Sequence, residues 1–237
     1  MGGIAWRFGQ FIGADTPVIR EVFQGVKPSV VSIRARSRDV MPGTHMCFTG
    51  VGSGVLISGD GEVLTAAHLV HAMDDIYVRF STGETVLARV KASSSMAPDL
   101  ALLQLDWVPP DAAVSPLADS RTVRAGDPAF IVGASYRVRH ALTVGSIKAQ
   151  RSPARLSMPL IEFFQGDTVT DDNSSGAPMF NLQGEVIAMV SRNIWSGHAR
   201  RLSDFVVTLN TAGLWLLEEH ASISLTGRPV RTLQLGA

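Results

Sequence analysis

The sequence predicts an all-β fold made of an antiparallel sandwich or a pair of barrels. Many short apolar segments are separated by turn residues, and they do not alternate with long helical segments, which argues against a parallel sheet covered by helices. The chain has 237 residues, of which 46% are hydrophobic, 22 are glycine and 12 are proline. This composition suits many short strands joined by tight turns better than a helical bundle or a disordered chain.

The first elements are a short helix and a half-buried strand. Thr16 can cap the helix and Pro17 occupies its first position, while Gly25 and Pro28 end it. The segment Ser29–Ser37 then alternates strictly between apolar and polar residues. This period of two predicts a strand with one buried face.

The remaining strands follow the same style in both halves of the chain. The first half contains two hairpins, a serine-rich loop and an apolar strand, at Gly52–Ser58 with Glu62–Thr65, Ile76–Phe80 with Thr85–Val90, Ser93–Ser95, and Leu100–Leu105. The segment Trp107–Ser120 carries three prolines and is expected to connect the two halves. The strands of the second half are predicted at Ala129–Gly133, Ala141–Ala149, Pro159–Gln165, Pro178–Asn181, Glu185–Ser191 and Phe205–Leu209, before a closing helix at Thr211–His220.

Charge and cysteine content exclude some classes of protein. Lys plus Arg and Asp plus Glu number 21 each, so no strong overall field draws the chain to nucleic acid or to an anionic membrane. Basic clusters at 137–140 and 198–201 are interpreted as solvated loops. Cys47 is the only cysteine, which excludes an intrachain disulfide, and it is interpreted as a small, buried, inert residue. The sequence contains no transmembrane-like stretch and no recognisable signal peptide at its start.

Three residues at strand boundaries form a candidate nucleophilic constellation. A serine is a weak nucleophile unless a base lies within hydrogen-bond reach and a third group orients that base. His68 ends the segment TAAH, Asp99 begins DLALL 31 residues later, and Ser175 lies in SSGAP a further 76 residues along. Each residue alone has a bland interpretation as a surface, turn or loop residue, so the joint pattern carries the hypothesis.

This order and spacing resemble the HtrA/Deg branch of the chymotrypsin-like serine peptidases, over roughly Thr16 to His220. The resemblance implies two six-stranded antiparallel β-barrels with a cleft between them. It divides the chain into an N-terminal arm and short helix at 1–28, a first barrel with connector at 29–120, a second barrel at 121–212, and a C-terminal helix and tail at 213–237. Relatives generally carry a PDZ domain after the peptidase domain, and the chain is expected to lack one.

The resemblance also assigns roles. Ser175 would attack a peptide carbonyl, His68 would take and return its proton, and Asp99 would orient His68. Ser174 is the rival nucleophile, but Gly176, Ala177 and Pro178 follow Ser175 in the way that Gly-Gly-Pro or Gly-Ala-Pro follows the family's serine.

The oxyanion hole and the specificity pocket follow from the same comparison. The backbone N–H groups of Asn173 and Ser175 would form the oxyanion hole, with Asn173 in place of the family's glycine. The resemblance places the pocket around Val169, Ser191, Arg192, Asn193 and Asp204. The apolar base at Val169 favours a small or medium aliphatic side chain, and Asp204 on a wall could overturn that preference.

Other kinds of site have weaker support. His68 and His71 could share a helical face, but no carboxylate or cysteine completes a recognisable metal set, so no metal or cofactor is expected. The glycine-rich stretch 50–54 lacks the lysine of a phosphate loop and precedes a strand. It is interpreted as a place of close backbone packing.

The resulting hypothesis is a serine endopeptidase that acts on extended or unfolded polypeptides through an acyl-enzyme intermediate, without a cofactor. Two alternatives stay open: a degenerate peptidase that serves as a binding or scaffold module, and a hydrolase of small esters. The family resemblance favours an extracytoplasmic, periplasmic location. Trp6, Phe8 and Phe11 in the N-terminal arm could support a homotrimer.

Overall fold

The computed structural model describes residues 17–40, 47–94, 99–134, 140–151, 163–166, 174–191 and 205–208. The helix α1 spans Pro17–Val26, and the strands of the first half are β1 (Val30–Val40), β2 (Cys47–Leu56), β3 (Glu62–Ala66), β4 (Asp75–Arg79), β5 (Thr85–Ser94) and β6 (Leu100–Leu105). Those of the second half are β7 (Pro128–Gly133), β8 (Ala141–Arg151), β9 (Phe163–Gly166), β10 (Pro178–Phe180), β11 (Val186–Val190) and β12 (Phe205–Thr208). Single turns of 3₁₀ helix lie at Lys27–Ser29, Ala67–Leu69 and Ser120–Thr122.

The described strands form two antiparallel sheets of six strands each. The first sheet is a closed barrel in the order β1-β2-β3-β6-β5-β4. The second sheet has the order β10-β11-β12-β9-β8-β7, and β7 pairs with both β8 and β10. The fold is therefore mostly β with one short helix in the described part, which confirms the predicted all-β class.

The first helix and strand lie where the sequence places them. Helix α1 begins at Pro17, and its residues Ile19 and Val26 are buried. In β1 the residues Val31, Ile33 and Ala35 are buried in alternation with polar residues. Burial of every second side chain is what the period of two predicts for a barrel wall that meets solvent on its other face.

Two segments differ from the sequence-based expectation. Strand β2 begins at Cys47, so Cys47 is half-exposed at a strand end rather than buried, and Arg36 Nη2 lies 3.6 Å from its sulfur. The predicted serine-rich loop is wrong at Ser93 and Ser94, because a register shift after Val90 lets β5 continue along β6 to that point. Propensity is overridden there by cross-strand pairing.

The two sheets share one cluster of buried apolar residues. Val55 and Leu102 of the first sheet meet Phe130 and Phe180 of the second, and all four are fully buried. The rings of Phe130 and Phe180 stack with centroids 5.5 Å apart. Strand β2 contacts β10 and strand β3 contacts β11.

The connector between the halves is bonded to both sheets. Ser115 donates its backbone N–H to Leu56 in β2, and Ala118 donates to Val186 in β11 at 2.9 Å. The N–H of Val186 in turn donates to the carbonyl of Pro116 at 2.9 Å. The connector therefore fixes the spacing of the sheets around the site described below. The predicted strand start at Pro159 and the closing helix lie outside the described residues.

Candidate active site

His68 lies on the 3₁₀ turn Ala67–Leu69, directly after β3. The strand is buried along its whole length, whereas the His68 side chain keeps 27% of its exposure. The turn is held by the N–H of Ala67, which donates to the carbonyl of Asp99 at 3.0 Å. The barrel wall therefore positions a partly exposed imidazole at the edge of the contact between the two sheets.

Asp99 precedes β6 and is completely buried. Its φ of +56° is in the left-handed region, which aspartate adopts more readily than most residues. The carboxylate accepts hydrogen bonds from the backbone N–H of His68 on Oδ1 (3.0 Å) and meets Nδ1 of His68 with Oδ2 (2.8 Å). Burying a carboxylate requires such donors, so this geometry fixes the imidazole ring with Nδ1 toward Asp99.

A third donor to Asp99 comes from the other sheet. The hydroxyl of Ser191, which follows β11, donates to Oδ2 of Asp99, and Ser191 is also buried. The sequence comparison had placed Ser191 on a wall of the specificity pocket. Its hydroxyl completes the hydrogen bonding of the buried carboxylate, and its place on a pocket wall stays a prediction.

Ser175 lies in the turn before β10, packed against the first barrel. Its carbonyl accepts from the N–H of Ser53 in β2 at 2.9 Å. The next residue, Gly176, has φ +76°, and a Cβ there would lie 2.2 Å from the carbonyl oxygen of Ser53 and 3.0 Å from the N of Ala66. Only glycine fits at this position. The turn therefore packs against the backbone of Ala66, which is two residues before His68 in the sequence.

No hydrogen bond joins His68 to the hydroxyl of Ser175 among the described residues. In ligand-free enzymes such bonds are often long and tighten only when substrate binds. The Ser175 turn therefore packs against the end of β3 that precedes His68, while the hydrogen bond between the hydroxyl and the imidazole is not formed.

The glycine-rich stretch 50–54 packs closely against the turns that carry His68 and Ser175. A Cβ on Gly52 would lie 2.6 Å from the carbonyl of Ser175, and one on Gly50 would lie 2.1 Å from the carbonyl of Leu69. The interpretation as close backbone packing is confirmed. Sequence reasoning missed the part played by Ser53, whose Oγ accepts from the N–H of Ala134 at 2.9 Å and whose carbonyl accepts from Thr65 Oγ1 at 2.6 Å.

The other candidate residues lie outside the described part of the chain. These are Asn173 of the oxyanion hole, and Val169, Arg192, Asn193 and Asp204 of the specificity pocket. Within the described ranges there is no group of three metal-binding side chains. The same ranges contain no helix long and apolar enough to span a membrane.

Comparison with known proteins is consistent with this geometry. A model of the trypsin-like peptidase domain matches residues 52–189, which include His68, Asp99 and Ser175. The chain is 31% identical over 182 residues to the mitochondrial serine protease HTRA2 of Bos taurus, an alignment that covers 76% of this chain and 39% of that protein.

Two bacterial relatives match to a similar degree. A probable periplasmic serine endoprotease, DegP-like, of Halomonas elongata is 31% identical over 193 residues, covering 78% of this chain and 38% of the relative. The putative serine protease HhoA of Synechocystis is 31% identical over 152 residues, covering 63% and 38%. The chain spans about two fifths of the length of these relatives. Because the family model matches more than half of it, the chain belongs to the trypsin-like peptidase domain family.

Proposed function

We propose that this chain is a serine endopeptidase domain that cleaves extended or unfolded polypeptides through His68, Asp99 and Ser175. The observation that carries the proposal is the buried Asp99 carboxylate, which binds both the backbone and the ring of His68 beside the Ser175 turn. A buried carboxylate that fixes the imidazole tautomer leaves Nε2 as the basic nitrogen. The matched relatives are named as serine proteases, which supports the same reaction class.

The proposed reaction begins when Oγ of Ser175 attacks the carbonyl carbon of a peptide bond. Nε2 of His68 takes the hydroxyl proton and returns it to the leaving amine as the C–N bond breaks, which leaves an acyl-enzyme. A water molecule then attacks the ester, His68 takes a proton from it, and the carboxylic acid leaves as Oγ of Ser175 regains its proton. The proposed reaction uses no cofactor and no metal ion.

The oxyanion of each tetrahedral intermediate would be held by the N–H groups of Ser175 and Asn173. Among the described residues the N–H of Ser175 has no acceptor, so it is free to donate to substrate. Loss of one such donor costs about 10²–10³ in turnover. In the proposed pocket of Val169, Arg192, Asn193 and Asp204, Ser191 contributes its backbone, because its hydroxyl bonds Asp99.

The decisive experiment is labelling with a fluorophosphonate probe, compared between the native chain and Ser175→Ala. We expect labelling of the native chain only. Absence of labelling of a chain that melts cooperatively would favour the alternative function, a binding or scaffold module. The one observation in favour of that alternative is the missing His68–Ser175 hydrogen bond. Casein digestion compared with hydrolysis of a small ester then separates peptidase from esterase.

The architecture of the second half, the location and the oligomeric state of the chain follow from the same resemblance. We propose the double barrel of the trypsin-like fold, with 29–120 and 121–212 as barrels and 1–28 and 213–237 as flanking segments. The pairing of β7 with both β8 and β10 supports closure of the second sheet.

A location outside the cytoplasm agrees with the word periplasmic in the name of the DegP-like relative, and cell fractionation would test it. Trimerisation through Trp6, Phe8 and Phe11 is testable by ultracentrifugation of the chain with and without residues 1–16.

A further inference from the structure

A groove of about 370 Å³ lies on the outer surface of the first barrel, across β1, β4 and β5. It is lined by Ser32, Arg34, Arg36, Asp75, Tyr77, Arg79 and Thr85. In the closed barrel these three strands are consecutive, and β2, β3 and β6 form the other half. The groove is therefore on the opposite side of the barrel from the strands that carry His68 and Asp99.

Strand register explains how the groove is built. Arg34 is opposite Tyr77 and Arg36 is opposite Asp75 in the β1–β4 pair, while Tyr77 is opposite Leu87 in the β4–β5 pair. Directly opposed side chains on one face of an antiparallel sheet lie within contact distance. The intervening residues face the barrel interior, so the outer face presents arginines around one aromatic and one aliphatic side chain.

Asp75, the acidic residue of the groove, is paired with an arginine. Arg38 binds Asp75 with Nη2 to Oδ1 at 2.7 Å and Nε to Oδ2 at 3.4 Å, and this guanidinium holds the pKa of the Asp75 carboxyl below its usual range. Arg36 bonds only the Cys47 sulfur, and Arg79 has no hydrogen bond or ion pair to any described residue. Both guanidinium groups are exposed, and neither forms an ion pair with a carboxylate of the described residues, although the nearby charge of Asp75 contributes to the raised pKa of Arg36.

One aromatic ring lies exposed in the groove, and an exposed aliphatic side chain is opposite it on β5, next to the groove. Tyr77 retains 41% of its exposure and its neighbour Leu87 retains 48%. Tyrosine and arginine are the residues enriched at protein interfaces, and arginine binds carboxylates in a two-pronged geometry. A ligand that matches this surface carries carboxylates at its ends and an apolar side chain between them.

We propose that this groove binds an acidic, extended peptide segment of another protein, with Arg36 and Arg79 binding its carboxylates and Tyr77 and Leu87 contacting an apolar side chain. The charge of residues 1–16 and 221–237 disfavours these two segments as occupants. Residues 1–16 hold one acidic and one basic residue, and residues 221–237 hold two arginines and no acid. The overall charge balance and the short span of the patch disfavour nucleic acid. The proposal does not depend on hydrolysis by Ser175.

Fluorescence anisotropy tests it with a labelled decapeptide of glutamate and serine that has one central leucine. The Ser175→Ala chain is used so that the probe stays intact. We expect saturable binding that weakens in 0.5 M NaCl, because exposed charges are screened. Arg36→Gln and Arg79→Gln should each weaken binding about five- to tenfold, and Tyr77→Ala should weaken it by a similar factor.

Controls separate the groove from general charge effects. A peptide with glutamine in place of glutamate should not bind, and Arg121→Gln should leave affinity unchanged, because it removes the same charge from an exposed residue of the second half. Thermal melts confirm that each variant is folded. The proposal is overturned if the glutamine peptide binds equally, if Arg121→Gln weakens binding as much as Arg79→Gln, or if duplex DNA displaces the peptide at lower concentration. Concentration-dependent self-association that Arg79→Gln abolishes, without peptide binding, would also overturn it.

Discussion

The hydroxyl of Ser191 donates a hydrogen bond to Oδ2 of Asp99, the same carboxylate oxygen that meets Nδ1 of His68. Asp99 immediately precedes β6 of the first barrel, whereas Ser191 immediately follows β11 of the second sheet. The orientation of His68 therefore depends on both halves of the molecule. A change in the packing of the two sheets would therefore alter the orientation of His68, the proposed base, through this hydrogen bond.

Replacing Ser191 with alanine should lower kcat about tenfold and leave KM nearly unchanged. The substitution removes one donor to a buried carboxylate, and hydrogen bonds to charged groups contribute about 1.5–3 kcal/mol. Ser191→Thr keeps a hydroxyl and should recover most of the rate. Steady-state hydrolysis of a peptide substrate measures both constants. Equal loss in the threonine and alanine variants would contradict a positioning role of the hydroxyl.

Asp99→Asn should reduce kcat by about 10⁴ while the chain stays folded. The amide oxygen can still accept from the backbone N–H of His68, but its N–H₂ group then faces Nδ1 and donates to it. The ring proton is thereby held on Nε2, which can no longer act as the base. Single-turnover kinetics with an activated ester would measure the loss. Retention of near-native turnover would rule out Asp99 as the orienting residue.

Gly176→Ala should destabilise the chain by more than about 3 kcal/mol, because it combines left-handed backbone with overpacking. The φ is +76° and the new Cβ would lie 2.2 Å from the carbonyl oxygen of Ser53. Urea unfolding measures the free energy of unfolding. A soluble variant with native stability would mean that the turn moves away from β2.

Two glycines provide matched controls for that variant. Gly126 has φ +95° with nothing within 4 Å of its Cβ position, so Gly126→Ala isolates the cost of the backbone angle, about 1–2 kcal/mol. Gly59 lies in open space with no left-handed angle, and Gly59→Ala should change stability by less than about 0.5 kcal/mol. The difference between Gly176→Ala and Gly126→Ala then measures the close approach of the two sheets.

The fold class could be predicted because its signals are local. Alternating burial in Ser29–Ser37 and the glycine turns depend on neighbours in sequence. His68, Asp99 and Ser175 are predicted from their order and spacing, which resemble those of a known peptidase family, and each residue alone is uninformative. The Ser191–Asp99 bond joins residues 92 positions apart in different sheets, and no local period encodes such a contact. The extension of β5 to Ser94 was missed for the same reason.

Ser53→Ala should lower the free energy of unfolding by about 1–3 kcal/mol, because it leaves the N–H of Ala134 buried without its acceptor. Ser32→Ala is the control, because Ser32 is directly opposite Ser53 in the β1–β2 pair but lies on a half-exposed position. Equal effects of the two substitutions would argue against a specific role of the Ser53 hydroxyl.

His140 should make the stability of the chain depend on pH. It was expected in a solvated basic loop, but it is half-buried and Nε2 bonds the carbonyl of Val30 at 3.1 Å, while Nδ1 is buried without a partner. Burial lowers the pKa of His140 below its usual value near 6.5, and Lys27 lowers it further, although the bond to Val30 opposes the shift. The unfolded chain therefore binds a proton more readily than the folded chain, so stability should be full above about pH 6.5 and decline as the pH falls below it.

His140→Gln keeps an N–H donor near Val30 and removes the titration, so its free energy of unfolding should fall less between pH 7 and pH 5 than that of the native chain. The measurement is urea unfolding at several pH values, with His71→Gln as the control because His71 is exposed. If His71→Gln flattens the curve and His140→Gln does not, the proton uptake belongs elsewhere. A parallel decline in all three chains would mean that carboxylates alone set the acid limit, since those groups are unchanged by either substitution.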